Sequence, residues 1–413
     1  MNLTLKRLTP FLGLLVLLAS CGKATKLVAP TTITIPALSS LTITVRADTL
    51  NVGEKVQFTV VALDTTHLPY AGELNWASSN KDVFVVGLAG LVTAVGEGTA
   101  LVTVSGGGRA DTASVLVYPT ATGWSAQVSN TSEALYDVFF DGAGRLGWAV
   151  GSGGIVLSTA NAGASWTRQL SKTGNSLRGV WFTSTQEGWV VGHGGTVLHT
   201  LNAGSTWTQI TSLASENLMD VYFATRDTGW VVGASGLILS TTNRGVMWSR
   251  TTRGSGTLNS VMFAGTKDGW AVGDGGIIVG THDRGITWFT APYATSQSLK
   301  SLWRHDTESA VAVGARGVVL RTSVTPDSVA WALGNVGSLY QLEGVCLADP
   351  LTGFAVGSNG TAGVVLHTSD GGEAWTPQTV GGLGLRGVFF LDARRGWVVG
   401  DNGTIRHTTS GGE

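Results

Sequence analysis

From residue 123 onward the chain alternates short apolar runs with glycine-rich turns. One run recurs as "GWAVG" at Gly147 and Gly269 and as "GWVVG" at Gly188, Gly229 and Gly396. Looser copies stand at Ala310 ("AVAVG") and Gly353 ("GFAVG"). Side chains alternate faces along a strand. Trp148, Trp189, Trp230, Trp270, Val311, Phe354 and Trp397 therefore share one face, and Ala149, Val190, Val231, Ala271, Ala312, Ala355 and Val398 share the other. Both faces are apolar, so the large face of one unit packs on the small face of the next. Burying an aromatic of this size contributes on the order of 2–3 kcal/mol. The spacing of about forty residues is that of a four-stranded propeller blade. Three further strands are expected in each unit. The first is typified by "DVFF" at Asp137, the third by "IVLST" at Ile155 and the fourth by "SWTRQ" at Ser165. Glycine in every turn between the second and third strands supplies the positive φ of a tight hairpin.

An eight-residue box joins the third strand to the fourth: Thr, any, Asn or Asp, any, Gly, any, Ser or Thr, Trp. It is complete at Thr159–Trp166, Thr200–Trp207 and Thr281–Trp288. Met247 interrupts it in Thr241–Trp248, and Ala374 does so in Thr368–Trp375. The box resembles the Asp-box, or bacterial neuraminidase repeat. That likeness implies a structural role, and the local chemistry agrees. Asn161, Asn202, Asp283 and Asp370 can accept backbone N–H bonds across the turn. Gly163, Gly204, Gly285 and Gly372 permit a left-handed bend, and Trp166, Trp207, Trp288 and Trp375 cover the loop. The last unit ends at Glu413 inside its box, before any Trp. An orphan "GWSAQVS" (Gly123 to Ser129) precedes the first unit and supplies Trp124. The expected fold is therefore all-β: a seven-bladed β-propeller over residues 121–413, closed by an N-terminal strand that completes the last blade.

The N-terminus reads as a targeting segment over residues 1–20. Lys6 and Arg7 precede the apolar run "FLGLLVLLAS", which ends in "LASC" at Cys21. This resembles a bacterial lipobox, which implies lipidation of Cys21 and an exported protein anchored in the cell envelope by that lipid alone. Residues 21–38 read as a tether. Residues 39–119 alternate apolar and polar positions in short runs, the pattern of a small β-sandwich. The stretch "WASSNKDVFVVGLAGLVTAVGEGTALVTV" (Trp76 to Val104) resembles the bacterial Ig-like group 2 family, which implies a spacer or adhesive module. Cys346 occupies a position that is mostly aromatic in other units and reads as a buried apolar thiol.

Charge narrows the function. Charged residues make up 13% of the chain and the formal net charge is −1, with no basic stripe, so nucleic acid is not the expected partner. Residues 121–413 as a whole resemble the photosystem II stability/assembly factor-like propellers, whose units carry the "GWxVGxxGxIxxTxDGGxTW" pattern. The resemblance implies a non-catalytic scaffold with a protein partner and no cofactor. A glycan-active or glycan-binding propeller is the alternative, since Asp-box propellers include sialidases and glycosidases. Asp137 and Asp220 hold equivalent places in their first strands and are its carboxyl candidates, with solvated channel carboxylates as the plainer reading. His199, His367 and His407 share one blade position with Ser158 and Arg321, so no metal is expected. Just before the first strands lie Arg178, Lys300 and Arg386, candidates for a cationic lip that meets a partner, with three solvated side chains that only improve solubility as the plainer reading.

Overall fold

A computed structural model describes residues 36–45, 49–96, 98–118, 123–292, 295–306, 309–325, 328–360, 362–378 and 380–413. The signal segment, Cys21 and most of the tether lie outside them. Among the described residues no helix is long and apolar enough to cross a membrane.

The N-terminal unit is built of three sheets. Thr49–Asn51, Arg109–Tyr118, Gly98–Gly106 and Asn75–Ser78 form one, with its first pair parallel. Lys55–Gln57, Leu91–Ala94 and Phe84–Val86 form the second, and Leu38–Val45 pairs with Thr59–Asp64 in the third. Leu38, assigned above to the tether, already belongs to a strand. Phe58, Phe84, Val92, Val102, Val104 and Val115 close a separate core, with Trp76 packed against it. Arg394 Nη1 reaches Glu54 Oε1 at 3.2 Å, so this unit touches the following one.

After residue 123 the described residues hold seven antiparallel four-stranded sheets. Sheet I runs Leu135–Phe140, Gly147–Gly151, Val156–Thr159, Thr167–Gln169. Sheets II to VI repeat the order, with first strands Leu177–Phe182, Leu218–Phe223, Leu258–Ala264, Leu299–Arg304 and Gln341–Leu347. Sheet VII takes Leu385–Phe390, Gly396–Gly400 and Ile405–Thr408 from the C-terminus. Its fourth strand is Ser125–Gln127, paired Ser125 to His407 and Gln127 to Ile405. The box Trp residues precede the fourth strands rather than opening them. In sheet V the altered box becomes a long hairpin, Val318–Thr325 against Ser328–Asn335.

The alternation in the second strand governs the stacking. Trp148 packs with Val190, Trp189 with Val231, Trp230 with Ala271 and Trp270 with Ala312. Val311 packs with Ala355, Phe354 with Val398, and Trp397 with Ala149. The large side chain also stacks on a Phe of the neighbouring first strand, as in Trp148–Phe182 (3.6 Å), Trp230–Phe263 (3.5 Å) and Trp397–Phe140 (3.6 Å). The contact from sheet VII to sheet I thus has the same form as the contacts between consecutive sheets.

The boxes hold their turns through two acceptors. The Thr hydroxyl takes the Gly N–H at 2.9 Å in Thr159/Gly163, Thr200/Gly204 and Thr281/Gly285. The Asx oxygen takes the N–H four residues on, as in Ser165 to Asn161 (3.0 Å), Thr287 to Asp283 (2.8 Å) and Ala374 to Asp370 (3.0 Å). The box glycine does more than bend the chain. A Cβ on Gly163 would strike Gln127, and one on Gly204 would strike Gln169, both from the preceding sheet. Those glutamines accept the indole N–H of the box Trp: Trp166 to Gln127 and Trp207 to Gln169, each 3.1 Å. Trp124 does the same to Gln378 at 3.2 Å. It meets Phe390 edge-on at 5.9 Å, as Trp166 meets Phe140 at 5.8 Å.

Candidate functional site

The first strands of all seven sheets line one cavity of about 130 Å³. Each carries a register shift after its first core residue, for example between Leu177 and Gly179 and between Leu299 and Ser301. A bulge re-aims the extra side chain. The seven bulged residues are Tyr136, Arg178, Met219, Asn259, Lys300, Glu343 and Arg386, and all line the cavity mouth. The structure thus brings Arg178, Lys300 and Arg386 into one site. They stand inside the first strands, not before them.

The mouth is not a bare cationic lip. Lys300 Nζ lies 3.3 Å from Asp274 Oδ1, and Arg386 Nε donates to Asp401 Oδ1 at 2.6 Å. Burial raises the Glu343 carboxyl above its usual range, although Arg386, Lys300 and Arg178 pull it down. Burial alone would raise Asp274 too, but the bonds from Asn259 and Lys300 carry it below. Arg178 differs from the other two cations. Its Nε donates to His193 Nε2 at 3.0 Å, so that ring nitrogen is an acceptor and the ring is neutral. Burial and then the Arg178 charge lower the His193 pKa, in keeping with this. The Arg178 guanidinium sits 4.0 Å over the Tyr136 ring, and that of Arg386 sits 5.5 Å from the same ring.

One residue along, Asp137 and Asp220 serve as latches between sheets rather than as solvated carboxylates. Asp137 Oδ2 accepts the Val180 N–H of sheet II at 2.8 Å, and Oδ1 accepts the Val138 N–H at 2.8 Å. Asp220 Oδ2 accepts the Val261 N–H of sheet IV at 2.9 Å and the Ser260 hydroxyl at 2.8 Å. Ser260 and Ser301 repeat the device, accepting the N–H groups of Leu302 and Val345. Burial pushes Asp137 up to about 7, helped by the charge of Asp220, and burial pushes Asp220 up to about 6.

Deeper still, Phe139, Trp181, Tyr222, Met262, Trp303 and Phe389 form an apolar wall. Phe139–Trp181 centroids are 5.2 Å apart and Trp181–Tyr222 centroids 4.7 Å. Cys346 holds the equivalent place in sheet VI but does not line the cavity; it packs with Phe354 and Phe390 as a free, buried thiol, pushed up to about 12 by burial. His199, His367 and His407 lie elsewhere, stacked on Trp189, Phe354 and Trp397. Among the described residues no cluster of His, Cys, Asp or Glu is large enough to hold a metal ion.

Sequence reasoning missed His193, Asp274 and Asp401, which tie down the mouth cations, and the glutamines that lock the box Trp residues. A Trp-x-x-Gln spacing at Trp124/Gln127, Trp166/Gln169 and Trp375/Gln378 was the available signal for the latter.

Comparisons with known proteins agree with this architecture. The family model described as Photosynthesis system II assembly factor YCF48 matches residues 117–215 and 211–296. The bacterial Ig-like domain (group 2) model matches residues 37–117. A photosystem II assembly lipoprotein Ycf48 of Synechococcus sp. (strain CC9902) is 29% identical over 106 residues, 24% of this chain. The match spans only 31% of that relative's length. A solved structure of YCF48 bound to D1 peptide superposes with a TM-score of 0.59 at 20% identity, covering 70% of this chain and 96% of that one. YCF48 from Cyanidioschyzon merolae gives a TM-score of 0.58 at 21% identity, covering 69% of this chain and 98% of that one. The WD40 β-propeller domain of Doa1 gives 0.56 at 12% identity, covering 70% and 97%. The chain carries a photosystem II assembly factor-like propeller preceded by a bacterial Ig-like group 2 domain.

Proposed function

We propose that this protein is a non-catalytic, lipid-anchored scaffold of the bacterial envelope whose cavity mouth grips a segment of a protein partner. The observation that carries this reading is the Arg178–Tyr136–Arg386 group. Arg178 is half-buried and oriented by a neutral histidine, so its charge is uncommitted to any carboxylate within ion-pair distance among the described residues. A planar guanidinium held this way suits a carboxylate on a partner chain. A YCF48 structure was solved bound to D1 peptide, which supports a protein segment as ligand class.

The supporting frame is a closed seven-bladed ring over residues 121–413, separated by a short join from an Ig-like domain over 39–119. The pairing of Ser125–Gln127 with Ile405–Thr408 and the Trp397–Ala149 packing favour closure. The glycosidase reading has less support, because every oxygen of Asp137 and Asp220 already accepts a hydrogen bond. The test is affinity capture from membrane extract with the full-length protein. Arg178→Met is expected to cut recovery of the bound partner about tenfold or more, the value of one charge-assisted hydrogen bond. Unchanged recovery with both Arg178→Met and Arg386→Met would defeat the proposal.

The anchor is a separate prediction. Cys21→Ser is expected to move the protein from the detergent phase to the aqueous phase in phase partitioning, because a single signal cysteine carries the lipid. A wild-type protein already in the aqueous phase would refute the lipid anchor.

A further inference from the structure

We infer that the box loops of sheets III and IV form a docking surface for a phospholipid bilayer, with Val246, Met247 and Ile286 as inserting tips and Lys267 and Arg284 as contacts to the lipid phosphates. Three other boxes carry small or polar residues between their Gly and Trp: Ala164-Ser165, Ser205-Thr206 and Glu373-Ala374. These two read Arg244-Gly245-Val246-Met247 and Arg284-Gly285-Ile286-Thr287. Val246 is 80% exposed, Met247 70% and Ile286 79%. A single exposed aliphatic is ordinary. Three on consecutive loops, each loop with an arginine beside its tip, make an apolar surface with a basic rim, the form of an interfacial membrane contact. The two arginines stand at φ 58° and 68°, in the region that favours glycine, and sheet VI has Gly371 at that place.

The tips are held in place. Thr241 Oγ1 accepts the Gly245 N–H and Asn243 Oδ1 the Met247 N–H, each at 2.9 Å, and Trp248 and Trp288 are buried beneath. Docking therefore has little loop entropy to overcome. Not every nearby charge is available. Arg226 and Arg244 are engaged by Glu187, and Arg244 also lies 3.6 Å from Asp227. Asp268 holds His282 at 2.8 Å, and Asp283 accepts the Thr281 and Thr287 hydroxyls. Lys267 and Arg284 are exposed and have no ion pair among the described residues. Long basic side chains of this kind lay their stems along an apolar layer and keep their heads at the phosphates.

The backbone puts this surface at the end of the strands where the chain from Cys21 joins them. The Arg244 and Arg284 N–H groups donate to the Asp227 and Lys267 carbonyls at 3.0 Å, in the turns that follow the first strands. Arg394, in the corresponding turn of sheet VII, pairs with Glu54 of the Ig-like unit, and the Gly123 N–H reaches Ser410 Oγ in the last box at 3.2 Å. The mouth cations instead meet His193, Asp274 and Asp401, in the turns at the other strand ends. Residues 22–35, fourteen in all, separate Cys21 from the first described residue and can span at most about 50 Å. The lipid anchor proposed above would thus hold the tips within reach of a bilayer, with the mouth opening away from it.

Fluorescence quenching in the full-length protein tests the surface. An environment-sensitive thiol label is placed at Val246→Cys or Ile286→Cys, with Ala164→Cys as the control loop and labelled wild type as the blank for the native cysteines. The probe is a vesicle of phosphatidylethanolamine and phosphatidylglycerol carrying spin-labelled lipid. The labels at 246 and 286 are expected to sink about 5–10 Å past the headgroups and be quenched, while the label at 164 is not. Val246→Ser with Met247→Ser is expected to lower the docked fraction read at position 286 about tenfold, the loss of two inserted side chains. These positions are exposed, so the variants keep their fold. Vesicle-bound protein with all three labels equally unquenched, or a double Ser variant that docks like the wild type, would overturn the inference and leave the anchor standing. Tip quenching by a wild type that stays in the aqueous detergent phase would sink the anchor and spare the surface. A label shift at 246 and 286 that needs no vesicle and grows with protein concentration would assign the surface to a second copy of the chain and overturn the lipid reading.

Discussion

A fragment spanning residues 131–413 will unfold well below one spanning 121–413, by about 5 kcal/mol or more in stability. Three losses combine in the shorter fragment. Ile405–Thr408 becomes an edge strand with unpaired backbone groups where Ser125–Gln127 had covered it. Phe390 loses its edge-on partner Trp124, and Gln378 loses the indole it accepts from. Gln127 no longer takes the Trp166 N–H or donates to the Ala162 carbonyl at 3.0 Å, which loosens sheet I as well. Trp124→Ala alone should cost about 3 kcal/mol, the low end for a Trp truncation, since this indole is only partly buried. Thermal unfolding of the fragments and the variant measures both. Equal stability of the two fragments would refute closure by the N-terminal strand.

Replacing Asp137 by Asn will shift stability relative to the wild type by about 2 kcal/mol in favour of the variant between pH 4 and pH 8. The sign follows from linkage. The folded pKa of Asp137 is raised from 3.8 to about 7, so the folded state binds the proton more tightly than the unfolded chain. The wild type therefore loses stability as pH rises through this window, and Asn has no proton to lose. A shift of this size corresponds to about 4 kcal/mol at ~1.4 kcal/mol per unit, halved because solvent reaches the cavity. At pH 4 the variant should be the less stable protein, because one backbone N–H that Asp137 satisfies loses its acceptor. The comparison must be between proteins at each pH. Burial lowers the His407 pKa to about 4, which adds an opposite slope to both. Melting curves of the two proteins from pH 4 to pH 8 decide it, and a constant difference would count against burial as the cause of the shift.

These expectations draw unequally on the two levels of description. The second strand was legible because period-two alternation needs only adjacent residues, so Trp148 and Ala149 announce opposite faces without any fold. The boxes were legible for the same reason, since Thr159, Asn161 and Gly163 bond within a few residues of one another. The lone Trp124 marked a stray fourth strand, and the structure pairs Ser125–Gln127 with the strand Ile405–Thr408. The mouth was only half legible. Arg178, Lys300 and Arg386 could be aligned by position, yet nothing along the chain told that a bulge turns each into one cavity.

Partnership was decided elsewhere. Whether a mouth cation is neutralised depends on Asp274, Asp401 and His193, which stand in turns brought alongside only when the strands pair. Asp137 looked like a solvated carboxylate because its acceptors' partner, the Val180 N–H, belongs to another sheet. Strand identity, face and turn chemistry are short-range properties, set by hydrogen bonds and sterics among neighbours in sequence. Charge balance, proton affinity and cavity shape depend on which groups end up within a few ångströms after sheets from distant parts of the chain stack, and only the tertiary structure brings those groups together.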